Sequence, residues 1–217
     1  MNRRGTWQLM LVAALLGCVP HLHSAPGRLA RIPLPSTDLA PGSRLVVLQW
    51  ELQDIDLIAR GDAAARITAP DSARLDFFLA GGFGRGAVIL IGDTLTFPAS
   101  ADDFGRRLVP PPPLLWVALG RLALPPAPDT IIHVEGDTLR ADIGNPVSWR
   151  VTFVRDSLWR VERVSRDRVL EWVQRSGSSG VGATVRYRNE GGRRQLDLKI
   201  TRTESVSAFD PWIWTFP

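Results

Sequence analysis

Apolar and polar side chains alternate along most of this chain. The clearest stretch runs from Ala69 to Phe97. Leu75, Phe77 and Leu79 alternate with Arg74, Asp76 and Phe78, the period-2 pattern of a strand with one wet face. Gly81 to Gly84 turns the chain, Gly86 to Ile91 is a continuous apolar strand, and Gly92-Asp93 turns it again into Thr94 to Phe97. The same unit recurs on both sides. Upstream, Val46, Leu48, Trp50 and Leu52 alternate with Val47, Gln49 and Glu51. Leu57 to Thr68 then returns with small residues at Ala59, Gly61, Ala63 and Ala65, which let a sheet bend or a neighbour approach. Downstream, strands are predicted at 131–135, 138–143, 149–153, 157–164, 169–174, 184–188 and 195–203. Short Gly-, Asp- or Asn-containing turns separate most of them.

One segment breaks the alternation. Pro110 to Pro113 stops the sheet, because proline has no amide hydrogen to give a ladder. Leu114 to Leu124 follows, with Leu115, Ala118, Leu119 and Leu122 on one helical face. Its spacing predicts a helix of about three turns, fenced by Pro125, Pro126 and Pro128. A helix this apolar must lie on apolar surface. The expected architecture is mainly β: a strongly curved antiparallel sheet, an incomplete β-barrel, with a short helical lid on its concave face.

Composition narrows the class without changing that picture. A chain of 217 residues that is 45% hydrophobic and 22% charged can build one large core without disulfides. Its single cysteine, Cys18, excludes an internal disulfide and a Cys-rich metal cluster. The formal charge is +4; without Arg3 and Arg4 it is +2, from 24 basic and 22 acidic residues. That is too little to mark a nucleic-acid binder.

Residues 1–17 read as an export signal, with Arg3 and Arg4 before a short apolar run, Leu9 to Leu16. Leu15-Leu16-Gly17-Cys18 is similar to a bacterial lipobox, which makes Cys18 the lipidation site. Ordinary secretion with cleavage near Ala25, and an uncleaved anchor, are the competing readings. A thiol accepts a diacylglyceryl group as a thioether, and each buried methylene of the acyl chains contributes about 0.8 kcal/mol to anchoring. Val19 stands where an Asp marks inner-membrane retention, so the expected location is the cell envelope, on the outer membrane and facing the periplasm. Residues 18–42 carry Pro20, Pro26, Pro33, Pro35 and Pro41 and read as an extended lipid-anchored tether. Residues 43–217 read as the folded domain.

With the lipobox, the stretch Pro70 to Phe78 (PDSARLDFF), the hairpin ending ILIGDTLTFP, and the Pro-flanked apolar segment Leu114 to Leu124, the chain resembles the LolA/LolB class of bacterial lipoprotein carriers and receptors. The resemblance spans about Leu45 to Phe216. It implies a half-barrel with a helical lid over a hydrophobic cavity that takes acyl chains of lipid or lipoprotein cargo. A lipid-anchored member is more like the LolB receptor than the soluble LolA carrier.

Three functional readings follow. In the first, the protein binds acyl chains. The lining then comes from Leu75, Phe77, Leu79, Leu95, Phe97, Trp149, Val151, Phe153, Trp159 and Val161, with Leu115, Trp116 and Leu119 from the lid. The competing view of the same residues is a closed, dry core. In the second, the sheet is a scaffold for an envelope protein partner, and Arg150, Arg160, Arg163, Arg186 and Arg188 face acidic groups. The third is an enzyme, and it is disfavoured. No G-x-S-x-G nucleophile motif occurs, and His133, Glu135 and Asp137 are the one candidate acid-base or metal cluster. No cofactor is expected.

Overall fold

The structure, a computed structural model, describes residues 21–81, 85–101, 103–124, 129–177 and 180–216. The leader and Cys18 lie outside these residues. Over the described residues the protein is mainly β, with one antiparallel sheet of 13 strands that does not close into a barrel.

Two meanders make the sheet. The first comprises β2 (Ser43–Asp54), β3 (Leu57–Thr68), β4 (Ser72–Leu79), β5 (Arg85–Ile91) and β6 (Thr94–Thr96). The second comprises β7 (Thr130–Glu135), β8 (Thr138–Ile143), β9 (Trp149–Val154), β10 (Ser157–Ser165), β11 (Arg168–Ser176), β12 (Thr184–Asn189) and β13 (Arg194–Val206). β13 pairs with β2, with Leu198 opposite Trp50 and Leu196 opposite Leu52, and joins the two halves. The remaining strand, β1 (Arg28–Ala30), adds to β7 at one edge, while β6 forms the other.

Between the meanders the chain must travel from one edge of the sheet to the far one. It does so through α1 (Asp103–Arg107) and α2 (Pro112–Ala118). α2 is buried along Leu114 to Ala118 and packs on β10, β11 and β12. Inward residues of both meanders belong with α2 to one hydrophobic core, which requires the sheet to curl around the helix. Ala63 is buried at an inward position of β3 opposite Phe77, which meets Trp50 edge to face at 6.2 Å. The small side chain there leaves room for the rings.

The strands match the alternation, most of them extended by a residue or two at their ends. Arg155-Asp156 and Arg166-Asp167 are two-residue turns with φ near +50° and +59° and +49° and +58°, the left-handed geometry that hairpin twist demands. α1 carries no apolar period and is not legible in the sequence.

Two expectations need correction. The lid helix ends at Ala118 rather than Leu124. Gly120 takes φ +99°, its amide donates to Val117 O (3.0 Å), and the Arg121 amide donates to Trp116 O (2.9 Å). This is a Schellman stop, which glycine permits and Leu122 to Leu124 cannot override. Residues 121–124 continue without helix.

The segment 18–42 is likewise no free tether from His21 onward. His21 bridges to Arg168, Arg150 Nη1 donates to His23 O at 2.7 Å, and Arg28–Ala30 pairs with Ile132–Val134. Leu34 and Leu39 pack on the core, and Thr37 Oγ1 accepts the Leu122 amide at 2.7 Å. Proline-rich backbone is extended, and an extended strap can follow a sheet edge as readily as it can hang in water.

Candidate functional site

The predicted cavity residues divide into groups. Leu75, Phe77, Leu115, Trp116, Val151, Phe153 and Val161 are buried in the close-packed core. Trp116 is fixed there: its indole donates to Gly92 O at 2.6 Å and Arg121 lies over its ring at 5.0 Å. Leu79, Leu95, Phe97, Leu119 and Trp149 are half-buried against that core.

Trp159 does not face inward. Leu158 sits opposite Phe153 and Arg160 opposite Thr152, so Trp159 is the extra residue of a bulge and stays 38% exposed. A bulge shifts the alternation by one residue, and this one turns the indole away from Val161.

A cavity of about 290 Å³ remains under the lid, beside its C-terminal end. Val46, Leu48, Ile67, Val185, Leu198 and Ile200 form its apolar walls, from β2, β3, β12 and β13. Ala118, Leu119 and Gly120 close it from the lid, and residues 37–40 of the N-terminal strap close another side. Leu119 is the member of the predicted set that lines it. The sheet side of the bowl is therefore filled by α2 in its middle and open at one end.

Two charged side chains also line this cavity, Arg44 and Arg175. Both occupy inward positions. Arg44 continues the set Val46, Leu48, Trp50 and Leu52 along β2, and Arg175 continues Val169, Glu171 and Val173 along β11. Arg175 Nη1 donates to Ala118 O (2.6 Å) and Val117 O (3.2 Å), so it caps the carbonyl end of α2, where a cation is favoured. Arg44 reaches Leu119 O at 3.5 Å. Burial lowers the pKa of both guanidinium groups from its ordinary value, and the charge on Arg44 pushes Arg175 further the same way. Sequence reading passed over both. The signal was present: a charge at the end of each inward apolar series.

At the far end of β11, Glu171 is also inward and buried, but it has a cationic partner, while its Oε2 has no hydrogen-bond partner among the described residues. Its Oε1 accepts from Asn189 at 2.9 Å and pairs with Arg163 at 3.0 Å. Tyr187 lies nearby, and burial with the Glu171 charge raises its pKa to about 12.

The opposite face of the sheet is polar and self-neutralised. Arg150 pairs with Asp142 through two hydrogen bonds of 2.6 and 2.7 Å, and Arg186 meets Asp197 at 2.6 Å. Arg160 meets Glu162 at 2.8 Å while stacking on Trp172 at 4.1 Å, and Arg188 meets Glu190 at 3.2 Å. With Arg163 on Glu171, every member of the arginine series has an acidic partner within the chain. A depression of about 620 Å³ lies on this face, lined by both signs of charge, including Glu51, Arg60, Asp62, Arg186, Asp197 and Lys199.

His133, Glu135 and Asp137 do not converge. Glu135 is taken by Arg140 (3.1 Å) and Asp137 by Arg155 (3.0 Å). Among the described residues, no group of three or more potential ligands could hold a metal ion.

No family model matches this chain, and no curated protein does. Solved structures similar to it include a LolA superfamily protein from Nitrosomonas europaea, 11% identical over 82% of this chain and 92% of that one, with a TM-score of 0.49. A putative outer membrane lipoprotein-sorting protein domain from Vibrio parahaemolyticus is 7% identical over 82% and 92%, with a TM-score of 0.46. A DUF1329 family protein from Desulfovibrio piger is 6% identical over 81% and 90%, with a TM-score of 0.39.

Proposed function

We propose that this chain is an envelope lipoprotein that binds an acyl chain in the cavity between the end of α2 and the inner face of the sheet, and that it is a binder rather than a catalyst. The observation that carries the reading is the cavity itself: about 290 Å³, walled by six aliphatic side chains and roofed by Ala118 to Gly120. Aliphatic walls suit an alkyl tail, which is held by burial and shape. The volume lies near the lower end of the range for small-molecule sites, about 300–1,000 Å³.

Anchoring belongs to the same proposal. Acylated Cys18 would stand three residues before His21, which is already held against Arg168. The domain would then sit close to the outer membrane on its periplasmic side, and its cargo would be a lipid or the acyl portion of a lipoprotein. The resemblance in sequence to the LolA/LolB class supports this reading. The scaffold reading loses its main support, since the arginine series is neutralised from within.

A fluorescent fatty-acid probe tests the cavity. Leu119→Trp adds volume at a half-buried wall position and should reduce probe affinity at least tenfold while leaving the far-UV circular dichroism unchanged. Probe binding no better than to an unrelated β protein, or binding that ignores Leu119→Trp, would refute the reading.

A further inference from the structure

We propose that the cavity is an anion-headed site: Arg44 and Arg175 hold the carboxylate or phosphate of a single-chain amphiphile whose tail lies along Val46, Leu48, Leu198 and Ile200. This inference rests on the acyl-binding reading and adds to it the charge of the head and the number of chains.

Three observations carry it. The first is a contrast between the faces of the sheet. The guanidinium groups of the polar-face series each meet a carboxylate, from Arg150 on Asp142 to Arg188 on Glu190. Among the described residues, Arg44 and Arg175 have no ion-pair partner; their hydrogen bonds go to lid carbonyls. A cation drawn into an apolar site needs a countercharge, and backbone dipoles supply only part of one. Here the charges that most need an anion are the ones without it.

The second is position. Both side chains line the same cavity, and together they present more hydrogen-bond donors than the lid carbonyls take up. Two planar forks that line one cavity and both reach the carbonyl end of α2 suit a carboxylate or phosphate, each of which accepts several charged hydrogen bonds. Asp38 is the one carboxylate in the lining. It accepts from Ser36 Oγ at 2.8 Å and reaches neither guanidinium, so the wall keeps a net positive charge. Thr37 and Thr203 add hydroxyl groups to the lining.

The third is capacity. At roughly 30 Å³ per water-sized group, 290 Å³ holds about ten such groups. That is one medium-length chain and its head.

Isothermal titration calorimetry tests this on the chain from Val19 onward, which contains every described residue. The probes are decanoate, decyl phosphate, decan-1-ol and inorganic phosphate, each below its aggregation limit and at low salt. Decanoate or decyl phosphate should bind at least tenfold tighter than decanol, and inorganic phosphate should bind weakly. Whichever of the two anions binds tighter identifies the head as a fatty acid or a phosphoryl lipid. Arg44→Gln should erase most of the preference, weakening the anions at least tenfold more than decanol. Arg175→Gln should do the same if its α2 remains capped; if that variant does not fold, Arg44→Gln and the probe comparison decide. Equal affinity for decanol and both anions overturns the anion site while keeping the acyl-binding reading. Inorganic phosphate binding as tightly as decyl phosphate overturns the amphiphile. No binding by any tailed probe overturns both.

Discussion

At the scale of single residues, inward-facing charge separates what is structural here from what is poised to bind. Glu171 and Arg163 face the core as a pair, whereas Arg44 and Arg175 face it without a carboxylate. Tyr187 reports on the paired end. It is the only tyrosine in the chain, so its ionisation can be read alone in the ultraviolet. Burial and the neighbouring Glu171 charge raise its pKa to about 12, against an ordinary value near 10. The raised value means the folded state keeps a proton that the unfolded state loses. The contribution to stability is present below pH ~10 and is lost as the pH rises through about 12. A spectrophotometric titration of the native protein should therefore show phenolate appearing well above pH 10; a midpoint at 10 would contradict the buried placement. Asp156 tests backbone strain. It holds φ +59° at an exposed turn, so Asp156→Gly should stabilise the fold by about 0.5–1 kcal/mol, seen as a rise in Tm.

At the scale of elements, the lid depends on how its helix stops. Gly120 ends the helix, and Arg175 takes up the Ala118 carbonyl that the stop leaves free and shares that of Val117 with the Gly120 amide. Hydrogen bonds from a charged donor contribute about 1.5–3 kcal/mol each. Replacing Arg175 by Met keeps the bulk and removes those bonds. Hydrogen exchange at Leu119 to Arg121 should then quicken by tenfold or more, with little change in β7 to β9. Uniform quickening through the sheet would mean that Arg175 supports the whole fold instead.

Much at this scale was legible in the sequence. Strand alternation at Val46 to Leu52 and Leu75 to Leu79 is strong because one face is buried and the other wet. The apolar run at Leu114 had to be covered. Less legible were features in which a local device overrides the period. The bulge at Trp159 reverses one side chain. The Schellman stop shortens a helix whose downstream leucines look helical. α1 is too short and polar to leave a pattern, and the strap from His21 to Asp38 has no period because it is extended and follows other strands. Of the expected lining residues Leu119 borders the hollow beside the end of α2, since alternation shows which face a residue takes and not how deeply a helix fills it.

At the scale of the molecule, the crossing between meanders explains why there is a lid. A sheet whose halves join at β13 and β2 leaves its two free edges far apart in order, and the link between them passes over the inner face. The N-terminal strap completes the enclosure from the other side, through β1 and residues 37–40. Gly27 is its fixed point. It has φ +108°, and a Cβ there would meet Val134 O at 2.6 Å. Gly27→Ala should detach β1 from β7 and expose residues 21–35 to limited proteolysis, while the melting temperature falls by only a few degrees. Collapse of the whole fold would show that the strap is integral to the core, and unchanged proteolysis would show that it is not held there.

The central claim is that the hollow beside the end of α2 is a site for one acyl chain. Native mass spectrometry of the chain from Val19 onward, exported behind a cleavable secretion signal and purified from the periplasmic fraction without detergent, tests it most directly. The account predicts a second species heavier by the mass of a single-chain lipid, diminished in Leu119→Trp. A bare protein mass alone, unchanged after incubation with excess decanoate, would contradict it.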